Sequence, residues 1–87
     1  MITKETLAGY IRKALPDAEV SVTDKTGMMD HFIVRVVSSQ FEGKSLLDRN
    51  RLVYQALSEP MKDGRIHAVE IKAEAPAEQM QNVRREA

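Results

Sequence analysis

The sequence predicts an α+β fold in which helices cover one face of a three-stranded mixed sheet. Apolar residues recur at three- and four-residue spacing in two long segments, which is typical of amphipathic helices. Three shorter segments alternate apolar and polar residues, as strands do. The first two strands are expected to pair antiparallel, whereas a helix joins the second to the third and makes that pair parallel with a right-handed crossover. The predicted order is helix, strand, strand, helix, strand, helix, and 87 residues indicate one domain over residues 1–87.

The first helix is expected to begin after Thr3, whose hydroxyl can cap the free amides of the first turn. Ile2 and Leu7 occupy the two positions of a hydrophobic staple. Pro16 ends the helix. The three- and four-residue spacing predicts one buried stripe, which comprises Leu7, Ile11, Ala14 and Leu15.

The three strands differ in how many of their faces are apolar. Residues 18–23 place Val20 and Val22 on one face and polar residues on the other, as a half-buried strand does. Residues 31–38 carry apolar side chains on both faces, which is typical of a central strand. The third strand is predicted over residues 66–73. The residues that share one face of this strand are His67, Val69 and Ile71.

A second helix is predicted from about Ser45 to Pro60, with the Ser45 hydroxyl as its cap. A turn follows at Asp63–Gly64, and Ala75–Pro76 opens a last short helix. The expected core stripe of the second helix is Leu46, Val53, Ala56 and Leu57, opposite Arg49, Asn50 and Arg51.

Composition excludes several classes of function. Thirteen basic and thirteen acidic residues leave no net charge, which argues against nonspecific binding to DNA or to an anionic membrane. The absence of cysteine excludes disulfides, a thiolate nucleophile and a self-contained cysteine metal site. No apolar run approaches the length of a membrane span, and residues 1–5 lack the order of a signal peptide, so a cytoplasmic protein is expected. The sequence shows no serine near an evident base and no pattern that pairs two carboxylates, so nothing in it indicates catalysis. We therefore expect a protein that is not an enzyme.

Three segments, in this order and spacing, resemble the BolA-like family. Residues 41–54 resemble its pattern of an aromatic residue, any residue and Gly, followed by Arg-His-Arg and Val-Tyr, although Asn50 stands at the middle of the basic triplet. Residues 65–73 resemble its Ile-His-Ala strand, and residues 75–78 resemble its Thr-Pro-x-Glu segment. The resemblance covers residues 3–80 and implies a fold similar to the class II KH domain.

The resemblance also implies a partner and a cofactor. Members of the family bind a monothiol glutaredoxin and share a two-iron, two-sulfur (2Fe-2S) cluster with it, in iron–sulfur cluster trafficking, iron regulation or stress response. The family's cluster-binding histidine corresponds to His67, and the loop of the first hairpin offers His31 as a second ligand. Two histidines without cysteine cannot complete four ligands, so neither a cluster nor another metal site is expected in the isolated monomer. The structural alternatives are a strand-entry histidine bonded to a carbonyl for His67 and a solvated strand-end histidine for His31.

Further residues suggest contacts with partners. Met28 and Met29 flank His31, and their adaptable thioethers predict a partner contact. Some family members are described as DNA-binding transcriptional regulators, so transcription regulation through the turn and the second helix is an alternative function. Acidic residues are interleaved there, however, and a charge-balanced face is the commoner outcome. A weak homodimer through the open face of the sheet is a third hypothesis beside a monomer. The candidate DNA-binding residues are Lys44, Arg49, Arg51 and Arg65.

Overall fold

The computed structural model describes residues 2–77, and its helices and strands follow the predicted order. Pro76 and Ala77 have helical backbone, and the remainder of the predicted last helix lies outside the described residues. Among the residues described, no helix is both long and apolar enough to cross a membrane. The elements are α1 (Lys4–Ala14), β1 (Glu19–Asp24), β2 (His31–Val37), a 3-10 helix (Ser39–Phe41), α2 (Leu46–Ala56), α3 (Ser58–Lys62) and β3 (Ala68–Glu74).

The first turn of α1 is capped as its sequence predicts. The Thr3 hydroxyl accepts a hydrogen bond of 3.1 Å from the backbone N–H of Thr6. The two residues of the predicted staple, Ile2 and Leu7, are both buried in the core. The prediction that Ala14 is buried is wrong, because Ala14 faces a surface groove while Ala8, on the other flank of the stripe, lies beside β1.

The sheet has the predicted topology, with β2 in the centre. β1 pairs with β2 in antiparallel orientation, and β3 pairs with β2 in parallel orientation. The register of the parallel pair begins with His31 opposite Ala68. One face of β2 is buried beneath the helices, and the residues on it, at most 1% exposed, are Phe32, Val34 and Val36.

The opposite face of the sheet is open and carries charged side chains. The Arg35 guanidinium lies 3.1 Å from a carboxylate oxygen of Glu74. The Lys25 ammonium lies 3.4 Å from a carboxylate oxygen of Glu70. Among residues 2–77, the helices therefore cover one face of the sheet, as the sequence predicts.

Pro60 shapes the helical crossover differently from the prediction. The prediction that Pro60 ends one long helix is wrong, because α2 ends at Ala56 and Pro60 lies inside α3. Proline has no N–H to donate to the carbonyl four residues earlier, which here is Ala56, and its ring clashes with that carbonyl. Pro60 is the third residue of α3, where its missing N–H would have had no partner within that helix.

The core stripe of α2 also departs from the prediction. The Ser45 hydroxyl caps the helix as expected, accepting from the N–H of Asp48 at 3.1 Å. Leu46, predicted to be buried, is 68% exposed, whereas Arg49, predicted on the opposite side, is only 6% exposed. The Arg49 guanidinium donates to the carbonyls of Lys44 at 2.9 Å and Ala73 at 3.3 Å. Hydrogen bonds to these carbonyls offset the cost of burying the cation, which helps explain how a charged residue occupies the core face of α2.

The junction between α1 and β1 is bonded to the end of β2. The Asp17 carboxylate accepts hydrogen bonds from the hydroxyls of Ser38 and Ser39, both at 2.7 Å, and from the N–H of Ser39 at 2.8 Å. The bond from Ser38 is the largest of the influences that hold the pKa of Asp17 below its ordinary value. Asp17 thus fixes the chain where it leaves the sheet.

Candidate functional site

The two histidines meet where β2 and β3 begin. Because parallel strands start at the same end of a sheet, His31 at the first position of β2 lies near the residues that enter β3. The carbonyl of Asp30 accepts hydrogen bonds from the N–H of His67 at 3.0 Å and from that of Ala68 at 3.3 Å. The prediction that His67 lies inside the third strand is wrong, since β3 begins one residue later. His67 is held at the strand entrance by the backbone.

Three potential ligand side chains converge at this entrance. One ligand atom each from Asp30, His31 and His67 can be chosen so that all three lie within 4.8 Å of one another. The Nδ1 atom of His67 is 3.9 Å from Oδ2 of Asp30. The His67 side chain is 63% exposed and that of Asp30 is 30% exposed, so an ion or a partner can reach the group from solvent.

The carboxylate of Asp30 is oriented by its own loop. The Thr26 hydroxyl donates to Oδ1 of Asp30 at 2.7 Å. This hydrogen bond holds the pKa of Asp30 below its ordinary value, partial desolvation opposes the shift, and the charge of a protonated His31 acts in the same direction as Thr26. The group beside the two imidazoles is therefore an anion at neutral pH.

The loop between β1 and β2 is ordered by hydrogen bonds to its own side chains. The Asp24 carboxylate accepts from the N–H groups of Gly27 at 2.9 Å and Met29 at 3.1 Å. Met29 has a φ of 58°, an uncommon conformation for a residue other than glycine, and its side chain packs against the core. Met28 is 71% exposed. Only Met28 of the predicted pair is thus fully available for contact.

A shallow surface depression of about 240 Å³ adjoins His67. Its lining combines apolar side chains from the first hairpin with polar groups from the turn before β3. The lining residues are Met28, Met29, Asp30, Gly64, Arg65 and His67.

Asp30 is the site residue that the sequence did not reveal. A polar residue at the end of a loop is ordinary in a sequence, and nothing in the alternation of β2 distinguishes Asp30 from other loop residues. Its position next to His31, at the start of a strand predicted to lie parallel to the strand of His67, is the signal that could have identified it.

The four residues of the predicted basic surface do not form one exposed basic patch in the structure. Arg49 is buried, so the expectation that it belongs to this surface is wrong. Arg65 donates to Asp63 at 2.9 Å and to the Tyr10 hydroxyl at 2.9 Å, and its guanidinium lies 5.5 Å from the centre of the Tyr10 ring. Of the four candidates, Lys44 and Arg51 remain well exposed, and Arg51 lies 3.8 Å from a carboxylate oxygen of Asp48. These contacts describe a charge-balanced face.

The donor set at the strand entrance suits the cluster that the sequence resemblance implies. Imidazole nitrogen is an accepted ligand of iron, and paired histidines ligate one iron of some 2Fe-2S clusters. His31 and His67 lie close enough together to serve one cluster, and the exposure of His67 leaves room for a partner that brings the sulfur ligands.

Comparisons with known proteins agree with this fold. The family model for BolA-like proteins matches residues 11–78. The chain is 45% identical over 73 residues to protein BOLA2 of Arabidopsis thaliana, and the match covers 83% of this chain and 76% of that protein. A crystal structure of a bol-like protein from Babesia bovis is 37% identical, covers 94% of each chain and superposes with a TM-score of 0.81. A bolA protein homologue from Coxiella burnetii is 33% identical with a TM-score of 0.79, over 92% of this chain and 99% of that one. The chain therefore belongs to the BolA-like protein family.

Proposed function

We propose that this chain is a cytoplasmic adaptor that binds a monothiol glutaredoxin and co-ligates a 2Fe-2S cluster with it through His67 and His31. The observation that carries the proposal is the convergence of two accessible imidazoles at the start of two parallel strands. The partner is inferred from the resemblance of the chain to the BolA-like family. The nitrogen ligands are the chain's own histidines.

The residues around the imidazoles fit this role. The backbone bonds of Asp30 to His67 and Ala68 fix the two ligand-bearing segments relative to each other. With Nδ1 of His67 only 3.9 Å from the Asp30 carboxylate, a small rotation of the ring makes a hydrogen bond that orients the imidazole and leaves Nε2 for a metal. A bound cluster would supply redox-active iron, whose potential histidine ligation raises.

The ligands that this chain lacks define its partner. It has no cysteine, so the thiolates that hold the cluster must come from the glutaredoxin and its glutathione. The exposed Met28 beside the site offers an apolar contact to that partner.

A binding role also agrees with the environment of the serines. Ser38 is 1% exposed and its hydroxyl donates to Asp17, so this hydroxyl is not available to a substrate. We infer that the chain acts by presenting ligands rather than by catalysing a reaction.

The proposal is tested by titrating the purified chain into a cluster-loaded monothiol glutaredoxin while recording visible absorption and circular dichroism. The expected result is a saturable spectral change at one chain per glutaredoxin that is lost or altered in His67→Ala and weakened in His31→Ala. Gln55→Ala, on the exposed side of α2, is the matched control and should behave as the unmodified chain does. An unchanged spectrum, or an identical response in His67→Ala, would rule out ligation by His67.

A further inference from the structure

We propose that the chain alone binds one divalent first-row transition-metal ion through Asp30, His31 and His67. This goes beyond the proposed function, because the site needs neither a glutaredoxin nor a cluster. The sequence led to the opposite expectation for the monomer, since it offered two histidines only. The fold adds a carboxylate as the third ligand.

The three donors match the chemistry of such ions. Two imidazoles and one carboxylate bind zinc in catalytic sites and non-haem ferrous iron in oxygenases, with the remaining positions left to water. Calcium and magnesium prefer sites made of oxygen ligands alone, so this mixed set discriminates against them. The position of the three side chains at the protein surface leaves space for the water ligands.

The distances allow one ion to reach all three donors. Zinc holds imidazole nitrogen and carboxylate oxygen at about 2.0–2.2 Å, which places neighbouring ligand atoms of a tetrahedral site about 3.4 Å apart. The three ligand atoms lie within 4.8 Å of one another, so each pair must close by about 1.4 Å at most. The His67 side chain is 63% exposed and is free to rotate by this amount without displacing the core.

The carboxylate and the backbone are already arranged for binding. Thr26 bonds to Oδ1 of Asp30, which leaves Oδ2 as the oxygen that faces His67. Hydrogen bonds of this kind fix the orientation of metal ligands and strengthen the site. The Asp30 carbonyl accepts hydrogen bonds from the N–H groups of His67 and Ala68, so the backbone of Asp30 is bonded directly to the segment that carries His67.

Binding of this ion would also regulate the proposed adaptor. An ion held by His31 and His67 occupies the nitrogen atoms that the cluster requires, so it competes with cluster sharing. This consequence rests on the proposed function, whereas the site itself does not.

The direct test is a titration of the untagged chain with Zn²⁺ in competition with a chromophoric chelator. We expect one equivalent to bind, and we expect Asp30→Asn, His31→Ala and His67→Ala each to weaken binding at least about tenfold, the smallest loss typical of altered outer-shell partners. Asp30→Asn keeps an oxygen for the Thr26 hydroxyl and so preserves the loop. Asp48→Asn, an exposed aspartate on α2, is the control and should bind normally.

Two additional measurements make the result specific. Co²⁺ should give visible absorption bands that His67→Ala removes, and Ca²⁺ in excess should not displace Zn²⁺. Circular dichroism in the far ultraviolet should show each variant folded before it is titrated.

The outcomes separate this proposal from the preceding one. Failure to bind Zn²⁺ at one equivalent, or equal binding by Asp30→Asn and the unmodified chain, overturns the ion site even where the glutaredoxin titration succeeds. Asp30→Asn should still give a spectral response to the cluster-loaded glutaredoxin, at a higher half-saturating concentration, because Asp30 is not a proposed cluster ligand and the asparagine oxygen still accepts the hydrogen bond that orients His67. Zinc binding without any response to glutaredoxin would instead contradict the adaptor proposal alone.

Discussion

Replacement of Arg49 tests whether a buried cation stabilises this small fold. Its guanidinium is bonded to the carbonyls of Lys44 and Ala73 and its side chain is 6% exposed. A hydrogen bond from a charged donor contributes about 1.5–3 kcal/mol. Loss of the two bonds leaves the carbonyls of Lys44 and Ala73 without this donor. Arg49→Met keeps an apolar stem and removes both bonds. We expect it to lower the free energy of unfolding by about 3 kcal/mol.

The measurement is urea denaturation followed by circular dichroism, with the unmodified chain and Arg51→Ala as references. The Arg51 side chain is 67% exposed, so its replacement should change the free energy of unfolding by less than about 0.5 kcal/mol. A small domain has about 5–15 kcal/mol of stability, so the loss in Arg49→Met is large enough to measure and should leave a folded protein. Equal stability of Arg49→Met and Arg51→Ala would refute the stabilising role of the Arg49 bonds.

Three further predictions concern pH, backbone conformation and DNA. The lowered pKa of Asp17 means that its ionised form stabilises the fold at pH values above the ordinary aspartate pKa of about 3.9. In thermal melts, the stability difference between the unmodified chain and Asp17→Asn should therefore shrink as the pH falls below that value. A difference that stays constant with pH would contradict this. Gly64 has a φ of 84°, so Gly64→Ala should destabilise by about 1–2 kcal/mol, whereas Gly9→Ala within α1 should stabilise by about 0.5–1 kcal/mol in the same urea assay. Fluorescence anisotropy with a labelled duplex at low salt should detect no binding, and salt-sensitive binding that Lys44→Ala and Arg51→Ala both weaken would restore the DNA alternative.

The order of elements and the sheet topology could be predicted because they depend on local periodicity and on the handedness of crossovers. The two faces of β2 and the caps at Thr3 and Ser45 follow from side-chain type and spacing within a few residues. The same local information suffices to place the two histidines at one end of the sheet, once β2 and β3 are taken as parallel.

The errors in α2 show where local information ends. Leu46 and Val53 lie on the same side of the helix, yet only Val53 is buried. Periodicity gives the direction of a side chain around the helix axis, but it does not tell which turns of the helix have something packed above them. Arg49, predicted to lie opposite the core stripe, lies three residues after Leu46 and four before Val53 and so shares their side of the helix. One of its partners is the Ala73 carbonyl, which lies 24 residues away in sequence and is brought near by the fold, so no side-chain pattern reveals it.

The candidate site was predictable in its histidines and not in its third member. Asp30 acquires its position from two long-range facts, the parallel pairing and the approach of His67, and from the local bond of Thr26. The parallel pairing is predicted from the order of elements, but the orientation that Thr26 and His67 give the Asp30 carboxylate does not follow from residue types.

The parallel pairing at the strand entrance has a consequence for biosynthesis. His31 leaves the ribosome early, but its neighbour His67 is brought beside it only after the whole crossover has been synthesised and β3 has joined the sheet. Pairings between distant segments carry the cost of closing a long loop, so they form late relative to local structure. A nascent or partly unfolded chain therefore displays single imidazoles and never the pair. Any ligand that requires both histidines distinguishes finished molecules from unfinished ones.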